Sequence, residues 1–245
     1  MKVIVTKSYD ETCTVIADMF KDLIVAKPNA KLGLATGGTP VPIYKKLIAM
    51  NEAGTLDFSK VHTVNLDEYC GIDGTHDQSY RYFMNSNLFD HINIDKNNTF
   101  VAKGLGDFEA NARELEEKVY EGGVADIQLL GIGNNGHIAF NEASDRLVAV
   151  AHTEKLTEST ITANARFFAS KEEVPHTAIT MGMGDILAAK QVILAATGLS
   201  KVPAIKGLIM DDVITTQNPS TMLKMHGNTV VVIDEELANA VGYKA

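Results

Sequence analysis

The chain has 245 residues, 22 Lys plus Arg against 31 Asp plus Glu, a formal charge of −9 and an isoelectric point near 5.2. Apolar residues make up 45% and charged residues 22%, the values of a folded globular protein, which excludes a disordered, collagen-like or coiled-coil chain. The acidic balance argues against nucleic acid and against an anionic membrane surface, because both are bound through a cationic footprint. One small anionic ligand in a locally positive pocket stays compatible with it. The length allows one large domain or two small ones, and a single domain over 1–245 would bury a full core of its own. Cys13 and Cys70 make neither a disulfide framework nor a metal-ligand spacing. The start, Met1-Lys2-Val3-Ile4-Val5-Thr6, lacks the longer apolar run of a signal peptide, and no stretch approaches the ~20 apolar residues of a membrane span. A cytoplasmic protein is expected.

In chain order, Val3–Val5 reads as a short strand, and 10–26 carries Ile16, Ala17, Phe20, Leu23 and Ile24 at helical spacing up to Pro28-Asn29. Lys31–Ala35 reads as a buried strand, 41–52 as a helix, Val61–Leu66 as a strand, and 78–90 and 107–121 as helices. Ile127–Ile132 is a fully apolar strand cut off by Gly133-Asn134-Asn135-Gly136. Ala178–Met181, Gln191–Ala196 and Thr229–Ile233 follow as strands, with helices over 183–189, 200–209 and 234–242. This alternation predicts an α/β fold: a single doubly wound domain with a mostly parallel central sheet and helices on both faces. In such sheets ligands bind beyond the carboxyl ends of the strands, near the switch in strand order.

Three segments that follow strands carry candidate chemistry. Thr36-Gly37-Gly38-Thr39-Pro40 joins a strand to a helix, and glycines, hydroxyls and a helix start together form a phosphate cradle. It is neither a Walker loop nor a dinucleotide fingerprint, and an ordinary turn capped by Thr39 is the plainer alternative. Asp67-Glu68 ends an apolar run; adjacent strand residues point to opposite faces, so one carboxylate faces any given site as a general base. A solvated strand end or a cap for the next segment would need the same residues. Gly133-Asn134-Asn135-Gly136-His137 interrupts an apolar run and presents a His, with Glu142 five residues on, a setting suited to proton transfer near neutral pH. Two later cations are anion-site candidates: Arg166 among aromatics, expected to be desolvated, and Lys201 at a helix start, where a cation is electrostatically out of place. Taken singly, each is better read as a plain surface cation.

Taken in order, these segments resemble the glucosamine-6-phosphate deaminase (glucosamine-6-phosphate isomerase) family over essentially the whole chain. The resemblance rests on Leu-Ala-Thr-Gly-Gly-Thr-Pro at 34–40, Asn-Leu-Asp-Glu-Tyr at 65–69, His76 with Ser79-Tyr80, Gly-Ile-Gly-Asn-Asn-Gly-His-Ile-Ala-Phe-Asn-Glu at 131–142, Ala-Asn-Ala-Arg-Phe-Phe at 163–168 and the Lys201 segment. It implies conversion of D-glucosamine 6-phosphate and water to D-fructose 6-phosphate and ammonia, without metal or cofactor. It assigns Asp67 to proton movement between C2 and C1, His137 to ring opening with Glu142 in support, and Thr36, Gly37, Gly38, Thr39, Arg166 and Lys201 to the phosphate. The expected partner is a small sugar phosphate, not nucleic acid or membrane, and a monomer is favoured over a hexamer.

Three departures from the family pattern stand out. Asn135 occupies a position where many members carry Asp, so it supplies an acceptor but no charge to His137. Ala143 replaces a frequent Pro. Segment 145–154 lacks the Arg–Lys pair with which regulated members bind N-acetylglucosamine 6-phosphate, and has His152 and Glu154 instead, so activation by that effector is not expected. The chain also ends sooner than those members. The polar segment 143–170 is the candidate lid. The alternatives are a 6-phosphogluconolactonase, which would not need Asp67, and a non-catalytic sugar-phosphate sensor, which would not need the acid–base groups.

Overall fold

The computed structural model describes residues 1–168 and 170–244. Its main sheet has seven strands: β1 (Lys2–Thr6), β2 (Lys31–Leu34), β3 (His62–Asn65), β5 (Thr99–Phe100), β6 (Ile127–Leu130), β9 (Val192–Ala196) and β10 (Thr229–Asp234). Their order is β1-β10-β9-β6-β2-β3-β5, and every neighbouring pair is parallel. β9 and β10 are buried along their whole length, so both faces of the sheet are covered, which is why these strands read as unbroken apolar runs.

Helices α1 (Tyr9–Ala26), α2 (Val41–Glu52), α3 (Tyr80–Asn87), α4 (Phe108–Tyr120), α6 (Met183–Leu187), α7 (Val202–Ile209) and α8 (Glu235–Val241) fall where the apolar spacing predicts them, the last five with shorter ends. The start of α1 is set by Ser8, whose side chain accepts the Glu11 N–H, and α1 buries Cys13, Ile16, Ala17, Phe20 and Ile24. The start of α3 is later than its periodicity suggests because Ser79 caps it. At the far end of the sheet Lys31 closes the end of α4: its ammonium donates to the carbonyls of Lys118, Val119, Glu121 and Gly123 at 2.7–2.9 Å.

From β2 the chain moves outward through β3 to β5, then returns through α4 to β6 on the other side of β2. The switch in strand order therefore lies between β2 and β6, and the loops after β2, β6 and β9, three adjacent strands, open at one edge.

The structure adds one layer to the predicted architecture. Ala178–Met181, expected as another strand of the parallel sheet, forms β8 (Thr177–Thr180) of a separate antiparallel sheet with β4 (Asp67–Tyr69) and β7 (His152–Lys155). A three-residue strand and a polar His-Thr-Glu-Lys strand carry no periodic signal of their own; pairing with β8 creates them. Helix α5 (Glu158–Asn164) follows β7, so the candidate lid segment holds regular structure.

Candidate active site

The loop after β2 keeps its polar groups uncommitted. Gly37 has φ +92°, a left-handed backbone that admits glycine, and nothing lies within 4 Å of the space beside Gly37 or Gly38. No side chain caps α2: Pro40 holds the cap position, Pro42 lies in the first turn, and neither the Thr36 nor the Thr39 hydroxyl makes a hydrogen bond among the described residues. The capped-turn alternative is thereby set aside. The Tyr9 hydroxyl donates to the Thr39 carbonyl and that of Tyr44 to the Ala35 carbonyl at 2.6 Å, so the turn is held from behind.

The two acids of β4 have separate environments. Glu68 faces the start of α3, where its carboxylate accepts the N–H groups of Tyr69, Tyr80 and Arg81 and the Ser79 hydroxyl at 2.7–3.1 Å. Asp67 points the other way and is 7% exposed, and its carboxylate makes no hydrogen bond among the described residues. Burial, with the Glu68 charge next to it, pushes Asp67 up to about 8. Asp67 pairs with Thr180 of β8, whose hydroxyl accepts the Phe140 N–H at 3.2 Å. Phe140 in turn packs on Tyr69 and Tyr80, with ring centroids 5.6 and 6.1 Å away. The buried carboxylate is thus tied to the loop that carries His137.

That loop folds back on itself, with the Gly133 N–H on the His137 carbonyl at 2.9 Å. The His137 ring lies over Gly133; a Cβ there would sit 2.2 Å from the imidazole. Nδ1 of His137 is 2.8 Å from Asn135 Oδ1 and 3.5 Å from Glu142 Oε2, and Asn135 Nδ2 donates to the same Glu142 oxygen at 3.0 Å. These acceptors place the imidazole proton on Nδ1 and leave Nε2 for a ligand. Glu142, itself buried, is held down at about 2 despite its desolvation by the His137 and hydroxyl contacts. Its second oxygen accepts the Thr160 hydroxyl from α5.

Lys201 stands at the start of α7, half-buried, and donates to Asn134 Oδ1 at 2.8 Å. Desolvation and the nearby Arg166 guanidinium lower its pKa. Arg166 is exposed, not desolvated among aromatics as its neighbours in sequence suggested. The 3-10 turn that carries it brings the guanidinium within electrostatic reach of Lys201, so two like charges share one region. His152 pairs with Glu154 within β7 at 3.2 Å. Among the described residues no group of three or more His, Cys, Asp or Glu could hold a metal ion, and no helix is long and apolar enough to cross a membrane.

Every candidate residue therefore lies on the loops at the switch edge, on the small sheet, or in the turn that follows α5. Sequence reasoning missed Thr160, Thr180 and Asn134, which hold Glu142, the Phe140 backbone and Lys201. Only Asn134, inside the glycine-rich turn, had a local signal.

The model of the family described as glucosamine-6-phosphate isomerases/6-phosphogluconolactonase matches residues 6–232. The chain is 54% identical to the glucosamine-6-phosphate deaminase of Clostridium beijerinckii, over 98% of this chain and 100% of that one. It is 52% identical to that of Clostridium perfringens, over 97% and 98%. The solved structure of a monomeric glucosamine-6-phosphate deaminase superposes with a TM-score of 0.95 at 41% identity, covering 98% of this chain and 100% of that one. A 6-phosphogluconolactonase from Trypanosoma cruzi shares the fold at 19% identity, with a TM-score of 0.75 over 97% and 96%.

Proposed function

The chain belongs to the glucosamine-6-phosphate isomerase/6-phosphogluconolactonase family, and from that premise we propose that it converts D-glucosamine 6-phosphate and water to D-fructose 6-phosphate and ammonia. The phosphate is gripped by the backbone N–H groups of Gly37, Gly38 and Thr39, the hydroxyls of Thr36 and Thr39, and the Lys201 and Arg166 cations. That grip is remote from the reacting carbons, so it positions the sugar. His137, with Nδ1 held by Asn135 and Glu142, takes the anomeric hydroxyl proton on Nε2 and returns it to the ring oxygen, which opens the ring. Asp67 as carboxylate then removes the C2 proton and delivers it to C1 while a proton of the amino group passes to the former carbonyl oxygen, leaving an imine at C2. Water adds to that carbon and ammonia departs.

The observation that carries this reading is Asp67, a buried carboxylate without a hydrogen bond among the described residues, bound through Thr180 and Phe140 to the His137 loop. Lactone hydrolysis moves no proton from carbon and leaves such a group without a task. The test is an ammonia-release assay on glucosamine 6-phosphate beside a hydrolysis assay on 6-phosphogluconolactone; lactone hydrolysis without ammonia release overturns the reading.

The same reading takes the chain as a single domain, 1–245, that acts as a cytoplasmic monomer and needs no cofactor. The monomeric state of its 41%-identical structural relative supports the monomer, and sedimentation of the purified protein checks it. The reading includes hyperbolic kinetics; sigmoidal kinetics relieved by N-acetylglucosamine 6-phosphate would contradict it.

A further inference from the structure

Helix α5 touches three separate parts of the site. Near its start, the Thr160 hydroxyl donates to Glu142, whose other oxygen meets Asn135 and His137. At its end, Asn164 reaches the Tyr69 phenol on the strand of Asp67. In the turn that follows, Arg166 lies within electrostatic reach of Lys201. From residue 160 through the helix end and the 3-10 turn to residue 166 the chain advances about 10 Å, so one short segment spans the proton-transfer and phosphate-binding halves.

Thr160 is 4% exposed, and its hydroxyl also receives a hydrogen bond from Thr157, the residue that caps α5, at 3.2 Å. It therefore has one proton to give and one acceptor to give it to. An apolar group of the same shape would fill the space equally well, so packing alone does not call for a hydroxyl here.

We propose that Thr160 is a positioning residue: its hydroxyl locks the Glu142 carboxylate toward His137 and at the same time anchors the helix that presents Arg166 to the phosphate. This rests on the deaminase reading for its kinetic consequences, although the Thr160–Glu142 contact itself does not. Around Glu142, among the described residues, the groups are the His137 imidazole, the one partner able to carry charge, and the neutral Asn135 amide and Thr160 hydroxyl.

The test compares wild type with Thr160→Val and Thr160→Ser. Removing the hydroxyl is expected to lower kcat about tenfold, the size of one lost hydrogen bond to a charged group. It is also expected to raise the inhibition constant of inorganic phosphate severalfold; Thr160→Ser restores both. Independently of catalysis, 13C NMR of the carboxyl groups follows the titration of Glu142. Its midpoint moves up by about one pH unit in Thr160→Val, as expected for a carboxylate that loses a donor, and stays near the wild-type position in Thr160→Ser. A folded Thr160→Val protein with an unmoved Glu142 midpoint overturns the proposal. So does one whose kcat falls while phosphate inhibition is unchanged, because the helix would then not link the two halves. Wild type without ammonia release overturns the functional reading instead, and the Glu142 titration still decides the contact.

Discussion

The Glu68 carboxylate accepts four hydrogen bonds around the start of α3, whereas that of Asp67, one residue earlier on the opposite face of β4, accepts none among the described residues. The alternation of side chains along a strand divides the pair. One acid is used up by the fold, and the other is kept desolvated and available.

Asp67→Asn separates chemistry from stability. It is expected to reduce kcat for ammonia release by roughly 10²–10⁴-fold, the usual contribution of a general base. Folded Asp67 titrates near 8, far above its ordinary 3.8, so between those values the folded chain holds a proton that the unfolded chain has lost. Its contribution to stability therefore falls as pH rises from about 4 to about 8. Thermal melts should show the Asp67→Asn variant gaining on wild type by about 1–3 kcal/mol at pH 8 and by nothing at pH 4. A variant that is active, or less stable at pH 8, contradicts this.

Asn135→Asp places a carboxylate where the amide now accepts from Nδ1 of His137 and donates to Glu142 at 3.0 Å. The donor to Glu142 is lost, and two carboxylates then face one imidazole. Both changes favour the imidazolium, so the acid limb of the pH–rate profile should move to higher pH, by roughly one unit. A profile that superposes on wild type refutes the charge argument.

Gly133→Ala puts a methyl group where the His137 ring lies, 2.2 Å from its nearest atoms. The ring must swing away from Asn135 and Glu142. We expect kcat to fall at least about tenfold while inhibition by inorganic phosphate changes less, since the proposed phosphate groups lie on other loops and only Lys201 touches this one, through Asn134. Equal losses in both would mean that the whole edge had shifted.

Lys31→Met leaves four carbonyls at the end of α4 without their shared donor. These groups are near the surface and water replaces part of what is lost, so the cost is about 1–3 kcal/mol. For a chain of this size the melting point should drop by several degrees. Activity per folded molecule should be unchanged, because Lys31 is at the opposite end of β2 from the phosphate loop.

The parallel sheet was legible in the sequence because its strands are buried on both faces and read as apolar runs such as Ile127–Leu130 and Val192–Ala196. The site segments were legible because glycines and polar residues interrupt those runs abruptly at Thr36–Thr39 and Gly133–His137. The small sheet was not: Asp67–Tyr69 is too short for a period, and His152–Lys155 has none. Arg166 was misjudged for a related reason. Aromatic neighbours in sequence say little about burial in a 3-10 turn, where successive side chains spread around the axis. Thr160, eighteen residues from its partner Glu142, had no local mark at all.

Asp67 belongs to a strand outside the seven-stranded sheet, whereas the phosphate loop and Lys201 grow directly from β2 and β9. On the proposed roles, the C2 base thus comes from the small sheet, whereas His137 follows β6 of the main sheet. A chain could exchange Asp67 alone and, on the proposed roles, still hold a sugar phosphate at the same edge, because Glu68 and Tyr69 keep the frame. The small sheet makes this one carboxylate separable from the frame that carries the other groups.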